Sequence, residues 1–245
     1  MISEAILAGL MFLASALYTT VGHGGASAYL ALMALFGVAP EVMRPTALVL
    51  NITVATLTAA RFWRAGLFRW RTLWPFLIAA IPLGFAGGAI ALPTQIYRPL
   101  VGLILFAAAA RFLWPKLFPA APDVRDPPIL PAILCGGLIG LLSGLTGTGG
   151  GIFLSPLLLI MGWSETRTAS GVAAVFIWCI SVAGLAGHIS SVQALPPELP
   201  IYAGVVLLGG LVGTTLGTRQ LSPTGVLRAL GLVLVIAGLK LVGIY

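Results

Sequence analysis

Five glycines and two threonines stand together in Gly144-Leu145-Thr146-Gly147-Thr148-Gly149-Gly150-Gly151, within a chain that is 59% hydrophobic and only 8% charged. A second copy, Tyr18-Thr19-Thr20-Val21-Gly22-His23-Gly24-Gly25-Ala26-Ser27, lies near the N-terminus. Glycine runs break helices, because glycine loses the most backbone entropy on folding and has no side chain to shield the peptide. Inside a bilayer such a break leaves N–H and C=O groups that lipid cannot satisfy, so protein or a wet cavity must cover it. A short apolar segment starts directly after each run, at residues 24–37 and 150–162. A helix start presents free N–H groups and the positive end of its dipole, which together make an anion site from backbone alone. Thr20 and Ser27 add hydroxyls to Gly22, Gly24 and Gly25 in the first copy. Thr146 and Thr148 do so in the second, where Gly147, Gly149, Gly150 and Gly151 let a ligand approach the backbone closely. The chemistry expected here is binding of a small anion, with no bond made or broken.

Other polar residues extend or limit that reading. His23 sits inside the first glycine run, where its counterpart is Thr148. It is open between a ligand or proton-coupling group, since imidazole titrates near neutral pH, and a cap on the broken helix. Thr46 and Ser170 open the segment after each short helix, and Asn51 follows Thr46 by just over one turn. All three are candidates to face the site, although hydroxyls in membrane helices also bond their own i−4 carbonyls. Glu41 and Glu165, with Arg44 and Arg167 nearby, read first as helix-start caps. Arg111 and Lys240 can snorkel to the interface. His188 falls at a segment end, and the two histidines do not share a depth that would hold a haem. Cys135 and Cys179 lie in apolar segments as packing residues, and no metal-ligand spacing, nucleotide loop or hydrolase pair occurs. No cofactor, metal or catalytic residue is expected.

The elements that must position these residues follow from composition. Soluble domains carry about 25% charged residues; this chain of 245 residues has far fewer, and an all-α polytopic membrane protein is expected. The net charge of +7 is assigned to membrane-flanking loops, and no nucleic-acid partner is implied. The first residues, Met1-Ile2-Ser3-Glu4, lack a basic start, so the first segment is expected to be retained. Apolar segments fall at 3–21, 24–37, 42–60, 72–92 and 97–114, and again at 130–146, 150–162, 168–189, 199–219 and 224–243. Gly22, Gly24, Gly25 and Gly37 match Gly147, Gly149, Gly150 and Gly162 at an offset of 125; Gly84, Gly88, Gly102 and Arg111 match Gly213, Gly217, Gly231 and Lys240 at 129. The chain therefore divides into a first transmembrane repeat at 1–118, a cytoplasmic Pro-rich linker at 119–128, and a second repeat at 129–245. Arg61, Arg64, Arg69 and Arg71 put the loop after the third segment in the cytoplasm, whereas its counterpart, 187–200, has no Arg or Lys and reads as external. Opposite sidedness predicts two inverted-topology repeats of about five helical segments each, broken or re-entrant at the glycine loops. The short segments leave three readings open: re-entrant hairpins, crossings that each short segment completes with help from its flanking loops, or single spans over 3–37 and 129–162, which would give eight helices and parallel repeats. For Gly84, Gly88, Gly213 and Gly217, close helix packing is the preferred reading.

At the paired motifs Gly22-His23-Gly24-Gly25 and Gly147-Thr148-Gly149-Gly150-Gly151, each followed by a short helix, the chain resembles the TauE/SafE family of sulfite exporters. The basic loop Arg64-Ala65-Gly66-Leu67-Phe68-Arg69-Trp70-Arg71 is also similar to the family's. The first copy departs from the second, with Ala26 at the third glycine and Ala31 where the second has Pro156. The resemblance implies transport of small sulfur-containing anions, such as sulfite, thiosulfate or organosulfonates, across the cytoplasmic membrane. Its expected partners are a small anionic substrate and the lipid bilayer. Two other classes fit the same residues: an anion channel using the loops as a filter, and a non-transporting scaffold or redox partner using the glycines only for packing.

Overall fold

The computed structural model describes residues 2–114, 116, 123–189, 195–218 and 224–243. Residues 119–122 of the expected linker and 190–194 of the expected external loop lie outside them. The described residues form ten helices: α1 Ile2–Thr20, α2 Ala26–Leu35, α3 Pro40–Arg64, α4 Trp70–Ala89, α5 Thr94–Leu113, α6 Ile129–Thr146, α7 Gly151–Ile160, α8 Thr166–Gly187, α9 Leu199–Thr218 and α10 Thr224–Val242. Six of them, α3, α4, α5, α6, α8 and α9, are long and apolar enough to cross a membrane. The chain is a multi-pass, all-α membrane protein.

Both glycine runs break the chain as their residue type dictates. Gly22 and Gly25 between α1 and α2 take φ values of 78° and 98°, and Gly147, Gly149 and Gly150 between α6 and α7 take 82°, 74° and 76°. L side chains rarely enter this left-handed region, so a run of ordinary residues here would continue the helix or strain it. The helices that follow are short. At 10 residues each, α2 and α7 are about 15 Å long, half a bilayer core.

These short helices turn back beside their predecessors. The Arg125 N–H, just before α6, donates to the Gly162 carbonyl just after α7 at 2.7 Å. At the other pair, Glu4 and Leu7 from the start of α1 share the walls of one cavity with Met33 of α2 and with Phe36 and Val38 beyond it. Each pair is thus a helical hairpin that ends near its own beginning.

The two sets of five helices pack reciprocally. The fourth helix of the first set, α4, lies on α6, the first of the second set; α9 lies on α1 in the same way. Gly136, Gly140 and Gly144 of α6 abut the backbone of Phe76, Ala80 and Gly84, and Gly209, Gly213 and Gly217 of α9 abut that of Phe12, Ala16 and Thr20. A spacing of four places each trio on one helix face. Lipid supplies no hydrophobic drive for helix association, so close van der Waals contact between backbones must hold these pairs, and only glycine permits it. The packing reading of Gly84, Gly213 and Gly217 matches this arrangement. Helices α5 and α10 pair antiparallel, with Gly102 beside Gly238 and Leu241, and Gly231 beside Leu113. Between these layers α3 and α8 pack on each other and are the most buried of the spans. Arg69 and Arg71, after α3, both reach Asp126 before α6, at 3.7 and 3.1 Å. Such exposed pairs add little stability, but they put the basic loop and the end of the linker on one face.

Candidate functional site

Where the two hairpin tips meet, the site is assembled on α3. Asn51 stands in the middle of that helix, 1% exposed. Its Oδ1 accepts the Ala26 N–H at 3.2 Å, and its Nδ2 donates to Ser181 Oγ of α8 at 3.1 Å. A Cβ placed on Gly24 or on Gly149 would run into this one amide. Asn51 therefore touches both glycine runs at once, and both must be glycine for it to do so. The first-turn amides of any helix lack acceptors within the helix; at α2, Asn51 already takes one of them, in the position a ligand oxygen would use.

His23 crosses from the first tip to the second. Its Nε2 lies 3.0 Å from the Gly151 carbonyl and 3.0 Å from Ser155 Oγ, both in the first turns of α7. A carbonyl oxygen only accepts, so Nε2 carries the proton and donates. The Nδ1 atom is buried and has no hydrogen-bond partner. The N-termini of α2 and α7 thus converge on a shared, buried set: His23, Gly24, Asn51, Gly149 and Gly151, with Ser155 and Ser181 behind them. Two dipoles of the same sign point into it, which favours an anion.

The predicted hydroxyls are more dispersed. Thr20 Oγ1 donates to the Leu17 carbonyl, and Ser170, half-buried one turn into α8, to Thr166. Thr146 donates to Leu142 and accepts from Thr148, 3.1 Å away. Ser27 pairs with the Tyr18 phenol at 2.7 Å, while Thr46 Oγ1 is buried without a partner. Of the remaining glycines, Gly22 packs on the Ser170 backbone of α8 and Gly147 on the Arg44 backbone of α3, so each tip is braced by a helix of the other set. Gly25 lies under Tyr29, whose phenol donates to the Gly24 carbonyl, and Gly150 lies against Ser143 and Phe176.

Arg44 has a larger part than a neighbour of a capping Glu41. It is 3% exposed, and its guanidinium donates to the carbonyls of Ile90 (3.0 Å), Gly87 (2.7 Å), Gly88 (2.7 Å) and Gly144 (2.6 Å). These are the carbonyl ends of α4 and α6, and their negative dipole ends supply the counter-charge. Tyr97 of α5 donates to the Thr146 carbonyl at 3.1 Å, so the tip of the α6–α7 hairpin is tied from two sides. Arg44, Tyr97, Glu41 and His188 line a cavity of about 130 Å³ at this end. The sequence carried one signal for Arg44, a cation near the start of an apolar span, where the dipole disfavours it. Ser155 and Ser181 carried none, because isolated serines in apolar helices are common.

Comparison with known proteins identifies the family. Residues 7–241 match the family model described as "Sulfite exporter TauE/SafE". The "Probable membrane transporter protein y4hK" of Sinorhizobium fredii is 38% identical over 98% of both chains. The "Probable membrane transporter protein MamO" of Paramagnetospirillum magneticum is 27% identical over 92% of this chain and 42% of its own length. A "Probable membrane transporter protein" of Xylella fastidiosa is 32% identical over 42% of this chain and 40% of its own. No solved structure matches. The family and these relatives are named for membrane transport, not for catalysis. With the family model covering nearly the whole chain and a full-length relative at 38% identity, the protein belongs to the TauE/SafE family of membrane transporters.

Proposed function

We propose that the protein is a secondary transporter of a small sulfur-containing anion (sulfite, thiosulfate or an organosulfonate) in the cytoplasmic membrane. The anion binds between the N-termini of α2 and α7, at Asn51 and His23. The convergence of two half-helix N-termini on one buried amide carries this reading, because two positive dipole ends facing each other require a negative ligand or a substitute for one. The sulfur comes from the family's description.

Alternating access follows from the repeat relation. Each half is a re-entrant hairpin and three crossings, so the second half begins on the face where the first ends, and the repeats are inverted about an axis in the membrane plane. Arg64, Arg69 and Arg71 mark the cytoplasmic face, with Glu4 and Glu198 on the other. The α1–α2 hairpin enters from the external face and the α6–α7 hairpin from the cytoplasmic one; rocking one half against the other opens the shared site to each side in turn.

Anion-dependent thermal stabilisation of the purified protein tests the binding step, since a ligand of the native state raises apparent stability by mass action. Sulfite, thiosulfate, methanesulfonate, sulfate and chloride are compared at fixed ionic strength. Saturable stabilisation by a sulfur anion, followed by saturable uptake into liposomes, is the expected result. Flux that never saturates would favour a channel, and the same response to every anion a scaffold.

A further inference from the structure

We infer that the anion is carried together with one proton, taken up on Nδ1 of His23; this rests on the proposed site and adds the coupling ion to it. The hydrogen bonds fix the tautomer. Nε2 faces a carbonyl oxygen, which cannot donate, so the Nε2 proton is committed to Gly151 and Ser155 of α7. Nδ1 is therefore a bare lone pair, in a residue 8% exposed, with no donor against it. A buried acceptor with no donor is costly, and at an anion site the cost grows, because a lone pair and an anion repel. A proton on Nδ1 removes both penalties. It turns the acceptor into a donor and gives the anion a cationic partner, while the Nε2 bonds stay as they are.

Among the described residues, no carboxylate lies in the middle of a helix. All six acidic residues, Glu4, Glu41, Asp123, Asp126, Glu165 and Glu198, lie at helix ends or outside helices. The groups around His23 are the Tyr18 ring of α1, with ring centroids 6.1 Å apart, the Ser155 hydroxyl of α7 and, through space, the Arg111 guanidinium of α5, while Ile177 of α8 shares with His23 the space next to Gly151. None of these is a carboxylate that could hold the imidazole charged before the anion arrives. Proton and anion therefore bind as a pair, and a monoanion crosses with no net charge moved. The proton comes from the aqueous phase open to the site and leaves with the anion on the other side; no covalent bond other than N–H is formed or broken.

Calorimetric titration with methanesulfonate, which stays fully ionised, in two buffers of different ionisation heat counts protons bound by the protein per anion. The expected count above neutral pH is close to one for the wild type and zero for His23→Gln, which retains a donor for the Gly151 carbonyl. The wild type alone gives a second reading: anion affinity weakens about tenfold per pH unit on the alkaline side. Anion binding with no proton uptake, or an unchanged count in His23→Gln, overturns the coupling and leaves the site standing. Absence of any sulfur-anion binding overturns both.

Discussion

Replacing Asn51 with Asp puts a carboxylate where two helix N-termini already converge, and the outcome can be worked out in sign and size. The side chains are nearly isosteric, and Oδ1 keeps the Ala26 N–H. The Ser181 hydroxyl, which now accepts from Nδ2, can rotate and donate instead. The new charge faces the positive ends of α2 and α7, an interaction worth roughly 0.3–2 kcal/mol at a helix start. Against a bound anion the same charge is repulsive. An anion between the tips lies about 5 Å away, and two unit charges at that distance repel by about 3 kcal/mol at an effective dielectric constant of 20. That is on the order of a hundredfold in affinity. The expected result at pH 7.5 is a ligand-free variant melting within a few degrees of the wild type, because the desolvation of a buried carboxylate works against the dipole gain, with its response to sulfite or thiosulfate lost. Asn51→Leu provides the contrast: it leaves the Ala26 N–H unpaired and melts lower, at a cost of about 1–3 kcal/mol. If Asn51→Asp binds sulfur anions with wild-type affinity, the anion does not sit between the tips and the dipole argument is wrong.

Three further outcomes follow from the same geometry. Arg44→Gln strips charged donors from the carbonyls of α4 and α6 and should destabilise the fold by about 3–5 kcal/mol, read as a large drop in melting temperature, whereas Arg44→Lys recovers part of it. Gly140→Leu drives a side chain into the Ala80 carbonyl and should prevent α4 and α6 from pairing, seen as loss of monodisperse protein in size-exclusion chromatography; Gly204→Leu, at a position with open space around it, should leave the profile unchanged. His188, at the end of α8, has its pKa lowered by burial and by the nearby Arg44 charge, against a hydrogen bond with Gly88 that raises it. The unfolded chain then binds the proton first, so this residue's contribution to stability is present above about pH 6.5 and lost as pH falls below it. Melting curves of His188→Asn between pH 5 and 8 should show a flatter acid limb than the wild type; an identical slope would rule the contribution out.

Much of this was legible in the chain because a membrane narrows the possibilities. The break positions were set by residue type: runs containing Gly22–Gly25 and Gly147–Gly151 cannot continue a helix, and apolar segments on either side cannot be anything else in lipid. The duplicated spacing likewise showed the ten apolar segments, and the run of arginines showed the basic loop whose Arg69 and Arg71 reach Asp126. The packing glycines were visible too, although only as a pattern of fours. Side-chain partners were not legible, because they depend on which helix lies opposite. Nothing near Asn51 in sequence indicates that its amide touches Gly24 and Gly149 together, or that Arg44 finds its counter-charge in the carbonyl ends of α4 and α6. The hydroxyls gave the reverse case. Thr20, Thr146 and Ser170 looked available one by one, but each lies in a helix whose own carbonyl one turn back is the nearest acceptor. Local sequence determined where the helices break and which ends face the middle; the crossing of two hairpins decided which atoms meet there, since that contact joins residues more than a hundred positions apart.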